Sequence, residues 1–281
     1  MIKNILKGAV IGLANIIPGV SGGTMAVSMG IYDKLIHCVT HIFKEFKKSV
    51  LFLLPIFIGA GLALVGLSFV IQSAFDHFPA QTNLLFIGLI VGGLPSILKK
   101  VKGNSIRLPH IIACVFFFAL VVGLAAIGES EGASADMSFN FINILKFFGV
   151  GIISAATMVI PGVSGSMMLM LMGYYYAIID TINTFIKAVL AFDMPQILQC
   201  CGVLVPMGIG IVVGILGCAK LVEIVFQKWP LVAYWAIIGL IVASPIGIIL
   251  MSSMGKITVV TVITSAVTFA LGFAGARVLG D

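Results

Sequence analysis

The hexapeptide Ile-Pro-Gly-Val-Ser-Gly occurs twice in this chain, at Ile17–Gly22 and at Ile160–Gly165. Its residues fit one kind of chemistry. Pro18 and Pro161 cannot continue a helix cleanly and each frees a carbonyl, while Gly19 and Gly162 permit backbone angles denied to other residues. Ser21 and Ser164 are suited to capping a new helix by accepting from its first N–H groups. A helix that breaks and restarts exposes orphan amides at a fresh N-terminus, which favours a phosphate or a carboxylate. Thr24 and Ser166 add hydroxyls beside Ser21 and Ser164, and Gly22, Gly23 and Gly165 leave the amides open to a ligand. A single break of this kind is more often a kink in a packed helix. An identical Ser-Gly pair after both breaks argues for a binding role.

The elements that position these residues are apolar. Of 281 residues, 60% are hydrophobic and 9% charged, against roughly 25% charged in a soluble domain. Uncharged runs such as Leu51–Ile71 and Leu231–Gly255 meet the ~20 residues needed to cross a bilayer. The net charge of +6 is carried by short loops, so it points to topology and not to nucleic acid. The five cysteines lack paired metal or redox spacing, and no cofactor or metal site is expected. Lys3, Lys7 and the apolar run after them resemble a signal peptide, but the same pattern recurs deep in the chain, against that reading.

The hexapeptides belong to a larger repeat. At an offset of 143, Lys3 matches Lys146, Gly8 matches Gly151, Gly30 matches Gly173 and Tyr32 matches Tyr175; at 151, Pro55 matches Pro206, Gly59 matches Gly210 and Gly88 matches Gly239. The repeats are 1–130 and 138–281, joined by the acidic, polar linker Gly128–Ser138. In the first, a hairpin over 3–45 precedes spans near 50–72, 82–98 and 110–127. In the second, a hairpin over 141–190 precedes spans near 198–221, 231–251 and 256–277. Lys7 to Pro18 would make about 17 Å of helix, near half of a ~30 Å hydrocarbon core, so the first hairpin is expected to be re-entrant. The second hairpin's longer arms leave that choice open.

The predicted fold is therefore an all-α polytopic membrane protein with two inverted-topology repeats, each a re-entrant helical hairpin plus three transmembrane helices. An odd unit duplicated in tandem must invert. With both termini cytoplasmic, thirteen Lys and Arg residues fall inside and only Lys146, Lys187 and Lys256 outside, as the positive-inside rule requires. Inverted repeats characterise secondary transporters, whose substrate sits at the repeat interface near the midplane.

The segments GLANIIPGVSGGTMAVSMGIYDKLI (Gly12–Ile36) and MVIPGVSGSMMLMLMGYYYAII (Met158–Ile179) resemble the two signatures of the PopT family, bacterial undecaprenyl-phosphate translocases. The resemblance covers essentially the whole chain. It implies a polyprenyl-phosphate lipid as partner, a bacterial cytoplasmic membrane, and return of the carrier from the outer to the cytoplasmic leaflet for envelope polymer synthesis. It makes Ser21, Gly22, Gly23, Thr24, Ser164, Gly165 and Ser166 the expected phosphate-binding residues. Asp33-Lys34 departs from the family's more usual Glu-Arg, and Lys offers no bidentate contact to phosphate.

Moving an anion into a negative-inside cell opposes the potential by ~2.3 kcal/mol per charge per 100 mV. A co-transported proton or cation is therefore expected, with Asn15, Asp33 and Lys34 as candidates for coupling or release. The bland readings are local: Asp33-Lys34 as an interfacial anchor, and Asn15 as a partner for freed backbone. His37 and His41 stand four apart, a spacing that fits a metal pair. Nearby Lys44, Lys47 and Lys48 favour a solvated basic helix end instead. A transporter of a small soluble anion is the alternative function. A lipid-phosphate enzyme fits less well, because the four His fall in loops or helix ends and a single carboxylate lies near a signature. The oligomeric state is not readable from sequence.

Overall fold

Thirteen α-helices account for the regular structure among the described residues of this computed structural model, which are 1–16, 20–127, 136–138 and 140–280. In chain order they are α1 (Ile2–Ile16), α2 (Gly22–Ser28), α3 (Tyr32–Thr40), α4 (Phe46–Gly66), α5 (Ser68–His77), α6 (Pro79–Val101) and α7 (Leu108–Ile127). They continue with α8 (Phe141–Val159), α9 (Gly165–Leu171), α10 (Tyr175–Ala191), α11 (Met194–Lys228), α12 (Pro230–Met251) and α13 (Val259–Gly280). Seven of these, α4, α6, α7, α8, α11, α12 and α13, are long and apolar enough to cross a membrane. The chain is a multi-pass membrane protein.

Several boundaries differ from those read in the sequence. The span near 50–72 stops at Gly66, and α5 follows after Leu67. The span near 198–221 is part of a 35-residue helix, about 52 Å long at the usual rise, which carries Pro206 inside it. The first hairpin is a 15-residue helix, a break, the 7-residue α2 and then α3. Its Pro18 and Gly19 lie outside the described residues, as does 128–135 of the linker.

By contacts the chain divides into two compact units. The first comprises Met1–Gly128, Pro161–Ser164 and Lys220–Asp281; the second comprises Glu129–Ile160 and Gly165–Ala219. Within the first unit α6 lies along α13, α7 along α12 and α1 along α4, so elements from both sequence repeats share one unit. Glycine sets these approaches. A Cβ on Gly8 would overlap the Ile56 carbonyl, and one on Gly59 the Ile5 carbonyl. Within the second unit the repeat-matched residues do the same: Gly151 faces the Met207 carbonyl and Gly210 the Phe148 carbonyl. Small residues let helices meet backbone to backbone, which is how membrane helices gain packing without a hydrophobic driving force. The second unit's core is Phe147, Val150, Ile178, Val203 and Met207.

The short helices after the two breaks also end alike. Gly30 (φ +67°) and Gly173 (φ +77°) occupy the left-handed region. Ile31 N–H donates to the Ala26 carbonyl at 3.0 Å, and Tyr174 N–H to the Leu169 carbonyl at 2.9 Å. Both are glycine-closed helix C-termini, and each turns the chain into the next helix at a matched tyrosine, Tyr32 or Tyr175.

One basic residue counted among the cytoplasmic charges is buried. Lys7 lies within α1 and is 7% exposed, and its Nζ donates to the Met29 carbonyl, the C-cap of α2, at 2.9 Å. A cation there complements the helix's negative end. Lys7→Met leaves that carbonyl unpaired, and we expect a loss of ~1–3 kcal/mol, read as a lower melting temperature in nanodiscs. At the start of α8, Asn143 Nδ2 donates to Asp136 Oδ2 at 3.0 Å and Ser138 N–H donates to Oδ1 at 2.9 Å. These bonds hold the Asp136 carboxyl down at about 2. Because the folded value lies below the ordinary 3.8, this anchor is fully present above the ordinary value and is lost as pH falls toward 2. Asn143→Leu should return Asp136 toward its ordinary value, measured by carboxyl NMR titration.

Candidate functional site

The first signature restarts its helix at Ser21, whose backbone is extended (φ −106°, ψ 134°) as an N-cap requires. Its hydroxyl does not cap the helix, which corrects that expectation. The cap is supplied from upstream: Gly22 N–H donates to Asn15 Oδ1 at 3.3 Å. Of the two roles considered for Asn15, the structure shows the partner of freed backbone. The first intrahelical bond here is Met25 N–H to the Ser21 carbonyl at 3.2 Å. Gly23 and Thr24 amides therefore have no intrahelical acceptor. Ser21 and Thr24 are both buried.

The second signature meets the first through Gly162. Gly162 N–H donates to Thr24 Oγ1 at 2.7 Å, and both groups are buried. Pro161–Ser164 belongs to the first unit, so this is a contact inside that unit. Gly162 has φ +84°, the left-handed backbone that favours glycine. A Cβ there would stand 3.2 Å from Val121 Cγ2. Thr24 accepts through its oxygen and keeps its own hydroxyl proton to donate. Gly165 and Ser166 open α9 in the second unit. The residues brought together are thus Asn15, Ser21, Gly22, Thr24 and Gly162.

Asp33 and Lys34 lie apart from this junction, on α3. Asp33 Oδ2 accepts from the Tyr234 hydroxyl at 3.1 Å and stands 3.5 Å from Lys100 Nζ. Lys100 Nζ also lies 5.5 Å from the Tyr234 ring centroid. These three groups border a recess of about 60 Å³, room for a water or two. Lys34 is otherwise engaged, its Nζ 4.4 Å from the Phe52 ring centroid, a cation–π contact. The sequence reading counted Lys100 only toward topology and did not single out Tyr234. No local motif marks either, because they reach Asp33 from α6 and α12.

The junction makes a stability prediction. Thr24→Val keeps the shape but leaves Gly162 N–H without its acceptor in a buried setting. We expect a loss of ~1–3 kcal/mol, and Thr24→Ser should restore most of it. Thermal unfolding of the purified variants in nanodiscs measures both.

Comparison with known proteins gives the family. Residues 11–244 match the VCA0040-like family, described as undecaprenyl phosphate translocase-like. A Staphylococcus aureus protein named polyprenyl-phosphate transporter is 30% identical over 244 residues, covering 86% of this chain and 83% of its own. A Vibrio cholerae protein of the same name is 29% identical over 195 residues, covering 64% of this chain and 60% of its own. No solved structure matches the chain. With most of its length matched, signatures included, the chain belongs to the undecaprenyl phosphate translocase-like family.

Proposed function

We propose that this chain is a transporter, not an enzyme, and that it moves undecaprenyl phosphate from the outer to the cytoplasmic leaflet of the bacterial cytoplasmic membrane. One observation carries the reading: in a chain of this family, the two signature breaks meet through the Gly162–Thr24 bond. The headgroup phosphate is held by the Ser21 and Thr24 hydroxyls, the Gly23 and Thr24 amides and Ser164. Amides and hydroxyls hold a phosphate without a fixed cation, so release need not break an ion pair. The polyprenyl tail stays in lipid while the headgroup crosses.

Inverted topology, with both termini cytoplasmic, is part of the same proposal. The matched glycine approaches and matched helix endings support a structural repeat, and the charge bias supports the orientation. Inward movement of the anion costs ~2.3 kcal/mol per charge per 100 mV, so we assign a coupled proton or cation. Asp33, with Lys100 and Tyr234 against it, is the group that carries or releases it.

Leaflet-resolved assay of labelled undecaprenyl phosphate in proteoliposomes tests both parts. Ser21→Ala with Ser164→Ala should slow translocation by more than about tenfold, the loss of two hydrogen bonds to a charged group. Unchanged flipping would remove the hydroxyls from the mechanism. Competition by soluble phosphate equal to that of the lipid would instead favour a soluble-anion transporter. Asp33→Asn should abolish the response to a pH gradient, and transport indifferent to gradient and potential in the parent protein would refute coupling.

A further inference from the structure

His37 lies in α3 and His41 is the C-cap residue of that helix. Their rings stack with centroids 4.3 Å apart. What the sequence could not supply is the third member. Glu223, near the end of α11, brings Oε1 to 3.3 Å from His41 Nδ1 and 3.7 Å from His37 Nδ1. All three potential ligand atoms lie within 4.8 Å of one another. In a tetrahedral zinc site with metal–ligand distances of ~2.0–2.1 Å, adjacent ligand atoms stand about 3.4 Å apart. The two measured edges bracket that value closely. All three residues belong to the first unit.

The surroundings are those of a ligand set. The Glu223 side chain is only 8% exposed, and Lys220 Nζ donates to its other oxygen, Oε2, at 2.7 Å. Lys220 thus fixes the carboxylate and leaves Oε1 toward the imidazoles. Glu45 Oε1 stands 3.9 Å from His37 Nε2, too far for a hydrogen bond, and adds a negative charge beside the ring. Two contacts compete for the metal: His41 Nδ1 is 3.0 Å from Thr40 Oγ1 and 3.3 Å from the His37 carbonyl. A metal would replace both at that nitrogen. Lys48, the nearest cation to Glu45, pairs with it at 3.4 Å, outside the ligand triangle.

We propose that His37 Nδ1, His41 Nδ1 and Glu223 Oε1 form a binding site for a zinc-class divalent cation, with the fourth position open to solvent. The nitrogen and carboxylate donors suit zinc over magnesium or calcium. The ion ties the end of α3 to the end of α11. Because α3 also carries Asp33, metal binding restrains the helix on which the Asp33–Lys100–Tyr234 group is built.

Metal-stripped protein in nanodiscs, titrated with Zn²⁺ by calorimetry and with Co²⁺ by visible spectroscopy, tests this without any transport measurement. We expect one ion per chain, an intense tetrahedral Co²⁺ band, and a melting temperature that rises with Zn²⁺. Affinity should fall with acidification, because protons compete with a metal for its ligands. His37→Ala, His41→Ala and Glu223→Gln should each weaken binding by more than about tenfold, whereas His77→Ala and His110→Ala should not. No saturable one-to-one uptake by the parent protein overturns the proposal whatever the variants do. So does uptake that His41→Ala leaves unchanged.

Discussion

A helix that stops inside an apolar medium releases backbone amides that water cannot reach, and each must find an acceptor within the protein. Two buried amides near the signatures illustrate that constraint. The Gly22 amide takes the Asn15 side chain, and the Gly162 amide takes the Thr24 hydroxyl. The second bond joins positions 138 residues apart in sequence. It explains why a threonine is wholly buried beside a glycine-rich break. It also explains why a left-handed residue at position 162 is placed where its N–H can point at that threonine.

Packing around the junction follows from the same medium. Lipid gives helices no hydrophobic reason to associate, so contact area and backbone proximity must do it. The Gly8–Ile56 and Gly59–Ile5 approaches in one unit, and Gly151–Met207 and Gly210–Phe148 in the other, are one solution used twice. Large apolar side chains such as Phe57, Phe116 and Val262 are left on the outside, where lipid can cover them. Even the one buried lysine of α1 follows the rule of backbone satisfaction, since Lys7 closes the carbonyl end of α2.

α3 sits between two polar groups of different character. At its start, Asp33 meets a lysine and a tyrosine from α6 and α12; at its end, two histidines meet a glutamate from α11. A short helix is thus held at both ends by polar side chains from other helices. The left-handed Gly30 turn connects it directly to α2 and so to the first signature.

The sequence by itself determined the helical class, the apolar membrane-crossing character and the paired Pro-Gly motifs, because these rest on local pattern. Apolar length, matched glycines and Pro-Gly pairs act on their own few residues, and the matched glycine turns at Gly30 and Gly173 were already marked by the repeat. Tertiary structure decided which groups satisfy which. Asn15 and not Ser21 caps the restarted helix, Lys7 is buried against the end of α2, and Lys100 and Tyr234 reach Asp33 from distant helices. The histidine pair read as a solvated basic end has a buried carboxylate against it, 182 residues beyond His41. Those pairings depend on how close two helices come and which faces they turn to each other, and backbone proximity set by glycines far along the chain fixes both.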